Sequence, residues 1–404
     1  MSTDVLGNEA TLDDAASLGA LNDFVEGFIA SEARAVNILA AAEPDMSPIV
    51  QACAAAVHMF AETRDAPSNA RPFLDRALAG FAKVTPREQR FIGAVQAWVA
   101  GDIPRAIALH DEQAHEFPRD LASLKLGHYH LFNRGESPGM LRMALAALPA
   151  SGDVPYLHGM LAFAYEQCHL LGEAEASARR AIAMRRKEPW AHHALAHVML
   201  TQGRNDEGHA FMQDVSETWT DLNSFMVTHN WWHQALFAIE LHRHEEVLGL
   251  YDRHVWGVAK DYSQDQINAV SLLARLELAG VNVGSRWDDV AGYLAQRVDD
   301  HVLPFLDMQY LYGLARAGRT EADMLMRGIE QFASTAPEHA RAAWQQVCVP
   351  AARGMLAHAR GDHALAREQL GIALPRLTEI GGSHAQRDLF TRVHADAIKR
   401  TGKS

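Results

Sequence analysis

Cysteine is scarce in this sequence, and the three that occur, Cys53, Cys168 and Cys348, lie far apart. This spacing excludes a disulfide framework and a paired-cysteine metal or redox site. Basic residues are also outnumbered: 37 lysines and arginines face 50 aspartates and glutamates, for a net charge of −13. Because nucleic acids and anionic membranes bind basic surfaces, neither is an expected partner.

Long hydrophobic runs are missing as well. No apolar stretch reaches the roughly 18 residues that span a bilayer, and the opening MSTDVLGNEATLDD lacks the pattern of a secretory signal. We therefore expect a soluble cytoplasmic protein. The motifs GxGxxG, GxxxxGK[ST] and GxSxG are absent too, which argues against a Rossmann nucleotide site, a P-loop and a serine-hydrolase elbow.

Alanine- and leucine-rich segments, by contrast, fill the chain, and their apolar residues recur every three or four positions, as in HGMLAFAYEQC. This spacing predicts helices, which short breakers such as LGE and RGD separate into hairpins. A 34-residue period relates small or equivalent residues of successive hairpins, namely Ala94, Ala162 and Ala196 in first helices and Ala106, Met140, Ala174 and Gly208 in second helices. The prediction is an all-α, tetratricopeptide-like helical-repeat solenoid of about seven to nine helix hairpins.

We expect the hairpins to form one continuous array, because no linker rich in proline, glycine or serine divides the chain. Three stretches are distinguished: residues 1–90 hold N-terminal helical pairs, residues 91–212 hold the regular repeats, and residues 213–404 hold degenerate repeats. Breaks are expected at 43–48 and 65–72, and residues 214–225 are an insertion.

Histidine is unusually frequent, with 22 in 404 residues, and many of them lie inside helical segments. The register of a tetratricopeptide hairpin places His193 and His197 of PWAHHALAH together on the concave face. The stretch HNWWH repeats this spacing, with His229 and His233 one helical turn apart. If the hairpins stack regularly, the two pairs lie near one another.

Three interpretations of these four histidines stay open. They could bond between hairpins, as buried polar groups must. They could hold Zn²⁺ or another divalent metal, although no HExxH motif accompanies them and few carboxylates lie at ligand spacing. They could perform acid–base chemistry in a pocket, because imidazole titrates near neutral pH. We favour the pocket and expect no metal or other cofactor.

The candidate site follows from this choice, with His193, His229 and His233 as catalytic residues. The candidate ligand-binding residues are Tyr129, His158, Phe163, Glu166, Trp190, His197, Trp231, Trp232, Asp307, His384 and Arg387. Two of these lie in GGSHAQRDLF, where Ser383 and Gln386 form a capping box and Arg387 offers a fork for a carboxylate.

The expected function is that of a small-molecule enzyme, catalysing hydrolysis, elimination or isomerisation of a small polar or aromatic compound in a histidine-lined pocket. The alternative is a non-catalytic binding scaffold for a peptide or protein partner, the commoner role of such arrays. The predicted concave positions favour the enzyme, because they carry histidine and aromatic residues. Only Lys125 and Asn133 are of the residue types expected in a peptide-binding groove. A homodimer through an end repeat stays open.

The stretches PWAHHALAHVMLTQGRNDEG, HNWWHQALFAIEL and GGSHAQRDLF resemble the tetratricopeptide repeat protein 38 family. FPRDLASLKLGHYHLF and PYLHGMLAFAYEQ are similar to it too, so the likeness runs from about residue 90 to 395. It implies the helical-repeat fold and, since some bacterial relatives occur among biosynthetic or catabolic genes, favours small-molecule chemistry. Tyr129, Leu200 and Gln309 depart from the family's usual Asp, Glu and His, which implies a different or more apolar ligand, or a lost activity.

Overall fold

The computed structural model describes residues 2–402. Its first helices are α1 (Leu18–Ile29), α2 (Ile38–Ala41), α3 (Pro48–Met59) and α4 (Ala66–Ala79). Helices α5 to α12 span Pro86–Val99, Ile103–Glu116, Leu121–Phe132, Ser137–Ser151, Pro155–Gln167, Leu171–Met184, Pro189–Thr201 and Asn205–Val215. Helices α13 to α22 span Ser224–Glu240, His244–Leu250, Ser263–Leu278, Arg286–Leu294, Pro304–Arg316, Glu321–Thr335, Glu338–Ala343, Val349–Ala359, His363–Ala373 and His384–Thr401.

The remaining regular elements are short. Six 3₁₀ helices span Ala15–Ser17, Ala33–Asn37, Phe81–Lys83, Ser216–Thr218, Ala295–Arg297 and Leu374–Ile380, and π-helical turns span Tyr251–Val255 and Trp344–Cys348. Strands β1 (Ser2–Thr3) and β2 (Glu9–Ala10) pair antiparallel at the start of the chain. None of the helices described is both long and apolar enough to cross a bilayer.

Consecutive helices pair into hairpins from α3 to α18, and α20 pairs with α21, which gives nine hairpins in residues 2–402. The all-α helical-repeat solenoid predicted from the sequence is confirmed. Small residues permit the close approach of neighbouring helices. A Cβ atom on Gly208 of α12, for example, would lie 2.2 Å from the ring of Phe237 on α13.

The break expected at residues 65–72 is instead the beginning of α4. Pro67 lies in its first turn, where no amide proton is needed, and Pro72 lies inside the helix. Burial of one face, which carries Ala70 and Leu74, stabilises this helix against the missing hydrogen bond. Proline clusters mark a loop and the first turn of a helix equally well, which is why the sequence misled here.

The hydrophobic core consists of two large clusters that meet at α13, the helix that contains HNWWH. Phe237 packs in the cluster formed by residues 6–237, and Trp232 packs in the cluster formed by residues 232–393. Trp231 is half-buried and contacts both clusters. The HNWWH stretch therefore lies at the seam between the two halves of the array.

The N-terminal segment packs against the first helices of later hairpins. Glu62, just after α3, accepts hydrogen bonds from Tyr129 Oη at 2.9 Å and from Ser263 Oγ at 2.5 Å. Lys125 Nζ donates to the carbonyl oxygen of Phe28 at 2.8 Å, at the end of α1, where free carbonyl groups attract a cation. These contacts cover one side of the inner helices.

The C-terminal segment covers the inner helices at another place. His384, at the start of α22, has its Nε2 atom 3.2 Å from the carbonyl oxygen of Gln167 at the end of α9. Gly381 has a φ of 79° and packs so closely on Asn133 that a Cβ atom there would lie 2.9 Å from its backbone. The inner face of the array is therefore occupied by the chain's own two ends.

Candidate metal centre

Two neighbouring inner helices bring four histidines together. His193 and His197 lie one turn apart on α11, and His229 and His233 lie one turn apart on α13. All four side chains are buried. Each ring offers a nitrogen atom, and these four atoms lie within 4.8 Å of one another. The four rings therefore form a single cluster inside the array.

The Nε2 atom of His193 lies close to the Nε2 atoms of two other rings. The Nε2 atom of His193 lies 3.1 Å from Nε2 of His197 and 3.2 Å from Nε2 of His229. Tetrahedral ligands at a typical zinc–nitrogen distance would lie about 3.3 Å apart. The observed separations therefore match those in the ligand shell of a transition metal ion.

Two of the rings have an acceptor group near Nδ1, and this group influences which ring nitrogen carries the proton. The Oδ1 atom of Asn268 lies 2.9 Å from Nδ1 of His229, and Oε1 of Glu166 lies 3.6 Å from Nδ1 of His197. An acceptor beside Nδ1 favours a proton there, which leaves the lone pair on Nε2. The lone pairs of His229 and His197 thus point toward the same place, as they do in metal sites.

The remaining nitrogens of the cluster have no hydrogen-bond partner in the described chain. They are both ring nitrogens of His233 and Nδ1 of His193, and all three are sealed from solvent. Leaving such groups unpaired costs about 1–3 kcal/mol each. A cation bound by the rings would supply the missing partner for His233.

Burial disfavours a positive charge on three of the four rings. It lowers the pKa of His229 to about 3 and, together with the neighbouring rings, lowers the pKa values of His193 and His233 well below the usual range. Burial alone would raise the pKa of Glu166, but His197, His384 and Gln167 together hold this pKa below its usual value. The centre thus combines four buried imidazoles with one buried carboxylate.

Aromatic side chains enclose the four rings. Phe163 lies 5.0 Å and Trp190 lies 4.8 Å from the ring centre of His193, while Trp232 stacks on His229 at 5.1 Å. Facing histidine rings of α11 and α13 are 4.5–4.9 Å apart, centre to centre. This space admits an ion but no organic molecule between the rings.

Two surface concavities of residues 2–402 lie away from the histidine cluster. Each has a volume of about 610 Å³; Gly371 and His394 help line one, and Gln89 and Arg105 the other. Both are open surface depressions, so neither is the enclosed histidine-lined hollow that the sequence led us to expect.

Several predicted site residues lie outside the cluster. The ring of His158 faces the carbonyl oxygen of Gly152 at 2.9 Å. Trp231 stacks on His254 at 4.2 Å, on the other side of α13 from the histidines. Tyr129 is held by Glu62 in the contact with the N-terminal segment, so these three side chains serve packing between segments.

Asp307 lies on α17 and forms a separate buried pair. Its Oδ2 atom is 2.6 Å from Nδ1 of His301, while its Oδ1 atom has no partner. Burial raises the pKa of Asp307 to about 6, against the opposing effect of His301. No recorded contact joins this pair to the four histidines.

Sequence reasoning missed Asn268, which orients His229. A signal was available, because Asp265, Asn268 and Ser271 recur every three residues along α15 and are all buried. Polar residues at helical spacing within an apolar helix indicate an inner polar stripe. The partner of Asn268 could not be read in this way.

A second group of potential ligands lies near the end of the chain, where His358, His363 and Asp396 approach one another. Here Asp396 already pairs with Arg400 at 2.6 Å, and His358 contacts Tyr312 at 3.2 Å. Because these partners satisfy most of the group, it is a weaker candidate than the four-histidine cluster.

The fold and the cluster together define a helical-repeat protein with a buried four-histidine centre. No family model matches the chain. Among solved structures it is similar to one of Naa15/Naa10 bound to HypK-THB, with 13% sequence identity and a TM-score of 0.28. The match covers 96% of this chain and 61% of that one, so this chain spans less than two thirds of the neighbour's length. A likeness at this level says nothing about function.

Proposed function

We propose that this protein is a small-molecule enzyme that uses a divalent transition-metal ion, such as zinc. His193, His197 and His229 would hold the ion, and His233 would complete the set of four ligands. The observation that carries the proposal is the approach of the Nε2 atoms of His197 and His229 to Nε2 of His193, at 3.1 and 3.2 Å. An ion bound at this place would be a shared partner for all three nitrogens.

The residues around the ion have distinct tasks. A bound divalent ion acts as a Lewis acid toward a carbonyl or phosphoryl oxygen. Glu166 and Asn268 fix the rings of His197 and His229, and Trp190 excludes water. Because no hydrogen bond of the described chain holds the ring of His233, it would be the ligand that a substrate atom could replace most easily.

This proposal differs from the metal-free pocket favoured on sequence grounds. His193 and His229 are assigned to metal binding instead of proton transfer. The reaction classes stay as expected, namely hydrolysis, elimination or isomerisation of a small compound. The proposed likeness to the tetratricopeptide repeat protein 38 family agrees with small-molecule chemistry.

The packing of the chain's own ends argues against the binding-scaffold alternative. Extended peptides bind tetratricopeptide arrays along an open inner groove. Here Tyr129 and Lys125, two predicted groove residues, are engaged by Glu62 and by the end of α1. Gln167 is covered by the C-terminal segment in the same way. A peptide would have to displace both ends to bind there.

Elemental analysis of untagged protein tests the metal centre. We expect about one transition-metal ion per chain and a loss of that ion in the double variant His193→Gln, His229→Gln. The control is His209→Gln, because His209 is buried but pairs with Glu246 outside the centre. Native protein with less than about 0.1 equivalent of any transition metal would contradict the proposal.

Catalysis is tested separately with the metal-loaded protein. A panel of polar and aromatic metabolites is incubated with it, and products are detected by mass spectrometry. We expect at least one compound to be converted, and we expect no conversion by protein stripped of metal. Protein that is full of metal yet converts nothing in the panel would indicate a structural ion and would overturn the enzymatic part.

A further inference from the structure

Arg387 is a buried cation without a counter-ion. Four arginines are buried in residues 2–402, and three of them pair with a carboxylate: Arg87 with Asp120 at 2.8 Å, Arg275 with Asp388 at 2.8 Å, and Arg297 with Asp300 at 3.2 Å. Arg387 is only 8% exposed, yet no described carboxylate lies within 4.0 Å of it. Burying an unpaired charge is costly, so this exception calls for an explanation.

Backbone carbonyl groups orient the side chain of Arg387. Its Nη1 group donates hydrogen bonds to the carbonyl oxygens of Gly381 and Gly382, and its Nη2 atom lies 3.3 Å from Nδ1 of His384. Neutral acceptors therefore hold both Nη groups of Arg387, and no carboxylate of the described residues lies close enough to neutralise its charge.

This place adjoins the metal centre. Glu166 is the one charged group with a marked effect on Arg387, and the same carboxylate lies 3.6 Å from Nδ1 of His197. His384 contacts the carbonyl oxygen of Gln167, the residue after Glu166. Arg387 and the histidine cluster thus flank one carboxylate at the end of α9.

The balance of charge points to an anionic ligand. With the proposed ion in place, two positive charges from the metal and one from Arg387 face a single negative charge on Glu166. A buried region with such an excess binds an anion strongly, and a guanidinium group pairs best with the two oxygens of a carboxylate or phosphate. No other recorded ion pair supplies the missing charge.

We propose that Arg387, which His384 helps to orient, forms an oxyanion subsite beside the metal centre, and that the substrate is a small molecule that bears a carboxylate or phosphate group. This inference rests on the proposed function. The anionic group would bind at Arg387 and place the rest of the molecule toward the histidine cluster. Small aromatic compounds without an acidic group are therefore excluded as substrates.

Titration calorimetry on the metal-loaded protein tests the subsite, with inorganic phosphate and malonate as probes. We expect at least one of them to bind, and we expect Arg387→Gln to weaken that binding about tenfold or more, the effect of losing a charged hydrogen-bond pair. Arg387→Lys retains the charge but loses the fork, so its affinity is expected to lie between the two. The control is Arg392→Gln on the same helix, whose partly exposed side chain pairs with Glu240 and Asp388.

The outcomes separate the two proposals, because the metal content of each sample is measured first. Protein without metal overturns the proposed function. If metal-loaded protein binds neither anion, or if native protein and Arg387→Gln bind them equally well, only the subsite proposal is overturned. If Arg387→Gln fails to fold, the subsite is tested with Arg387→Lys. Unchanged affinity of Arg387→Lys for the anion would contradict bidentate recognition by Arg387. Which probe binds more tightly tells whether the substrate carries a phosphate or a carboxylate.

Discussion

The Nε2 atoms of His193 and His229 lie 3.2 Å apart although 36 residues separate them along the chain. That step is two residues longer than the 34-residue period of the preceding hairpins. Helices α11 and α13 therefore still pack side by side despite the insertion at residues 214–225, but α13 is displaced by two residues relative to the regular repeat. In this arrangement the histidine pairs of two successive hairpins form one cluster.

Removal of the metal ion is expected to lower the melting temperature. An ion that binds only the native protein stabilises it, and its loss leaves the buried nitrogens of His233 without a partner. Dialysis against a strong chelator should lower the melting temperature by about 5 °C or more, and added zinc should restore it. Calorimetry checks this. The double variant His193→Gln, His229→Gln provides the control, because chelation should leave its melting temperature unchanged.

Glu166→Gln is expected to weaken metal binding without removing a ligand. Glu166 faces Nδ1 of His197 and favours the protonation that leaves Nε2 free to bind the ion. Loss of such a supporting group reduces metal affinity about 10- to 100-fold. Competition with a chromophoric chelator measures the affinity. Glu173→Gln, an exposed substitution on the neighbouring α10, should leave it unchanged, and an equal effect of both variants would contradict the supporting role.

Glu188→Gln is expected to change how stability depends on pH. Burial raises the pKa of Glu188 to about 8, although the amide of Ala191, Lys125 and Arg185 act in the opposite direction. The folded protein therefore binds a proton that the unfolded chain releases near its ordinary pKa of 4.5, so the stability of the native protein falls as the pH rises from 4.5 to about 8.

The variant lacks this ionisable group but keeps an oxygen that accepts the hydrogen bond from Ala191. Relative to native protein, we expect it to gain about 1–3 kcal/mol in unfolding free energy between pH 5 and pH 7.5. Urea titrations at the two pH values measure the difference. Parallel pH dependence of the two proteins would show that Glu188 ionises normally in the fold.

Gly381→Ala and Gly101→Ala are expected to differ sharply in stability. Both glycines have positive φ, 79° and 77°, so alanine is strained at either, and more so at Gly381, whose ψ of −160° belongs to a region that essentially only glycine adopts. At Gly381 the added Cβ atom would also lie 2.9 Å from the backbone of Asn133, whereas nothing lies within 4 Å at Gly101. We expect Gly381→Ala to lose at least about 2 kcal/mol more, measured by chemical denaturation. Equal losses would mean that the C-terminal segment is not tightly packed on α7.

The sequence predicted the helices and which of their faces turn inward, because small residues at periodic positions determine how each hairpin packs on the next. It predicted the helical-repeat array, and the same register set His193 and His197 on one face and near the HNWWH helix. The proline cluster at 65–72 was ambiguous, since proline in a first helical turn resembles a loop. Local spacing thus carries most of the fold.

Contacts between distant segments could not be read from spacing. Nothing in the pattern around Glu62 indicates that it bonds to Ser263, 201 residues away, or that Asn268 orients His229. The same holds for Arg387, whose lack of a carboxylate partner is visible only when every neighbour is in place. The periodic pattern predicted which residues face inward, but not which segments of the chain cover them.

The bonds from Glu62 to Ser263 and from His384 to Gln167 change how this array unfolds. In an ordinary repeat protein each hairpin touches only its neighbours, so terminal repeats fray independently and can be trimmed. Here both termini fold back onto the middle, and trimming either one would uncover the interior of the central hairpins. We therefore expect this array to unfold in a single cooperative transition.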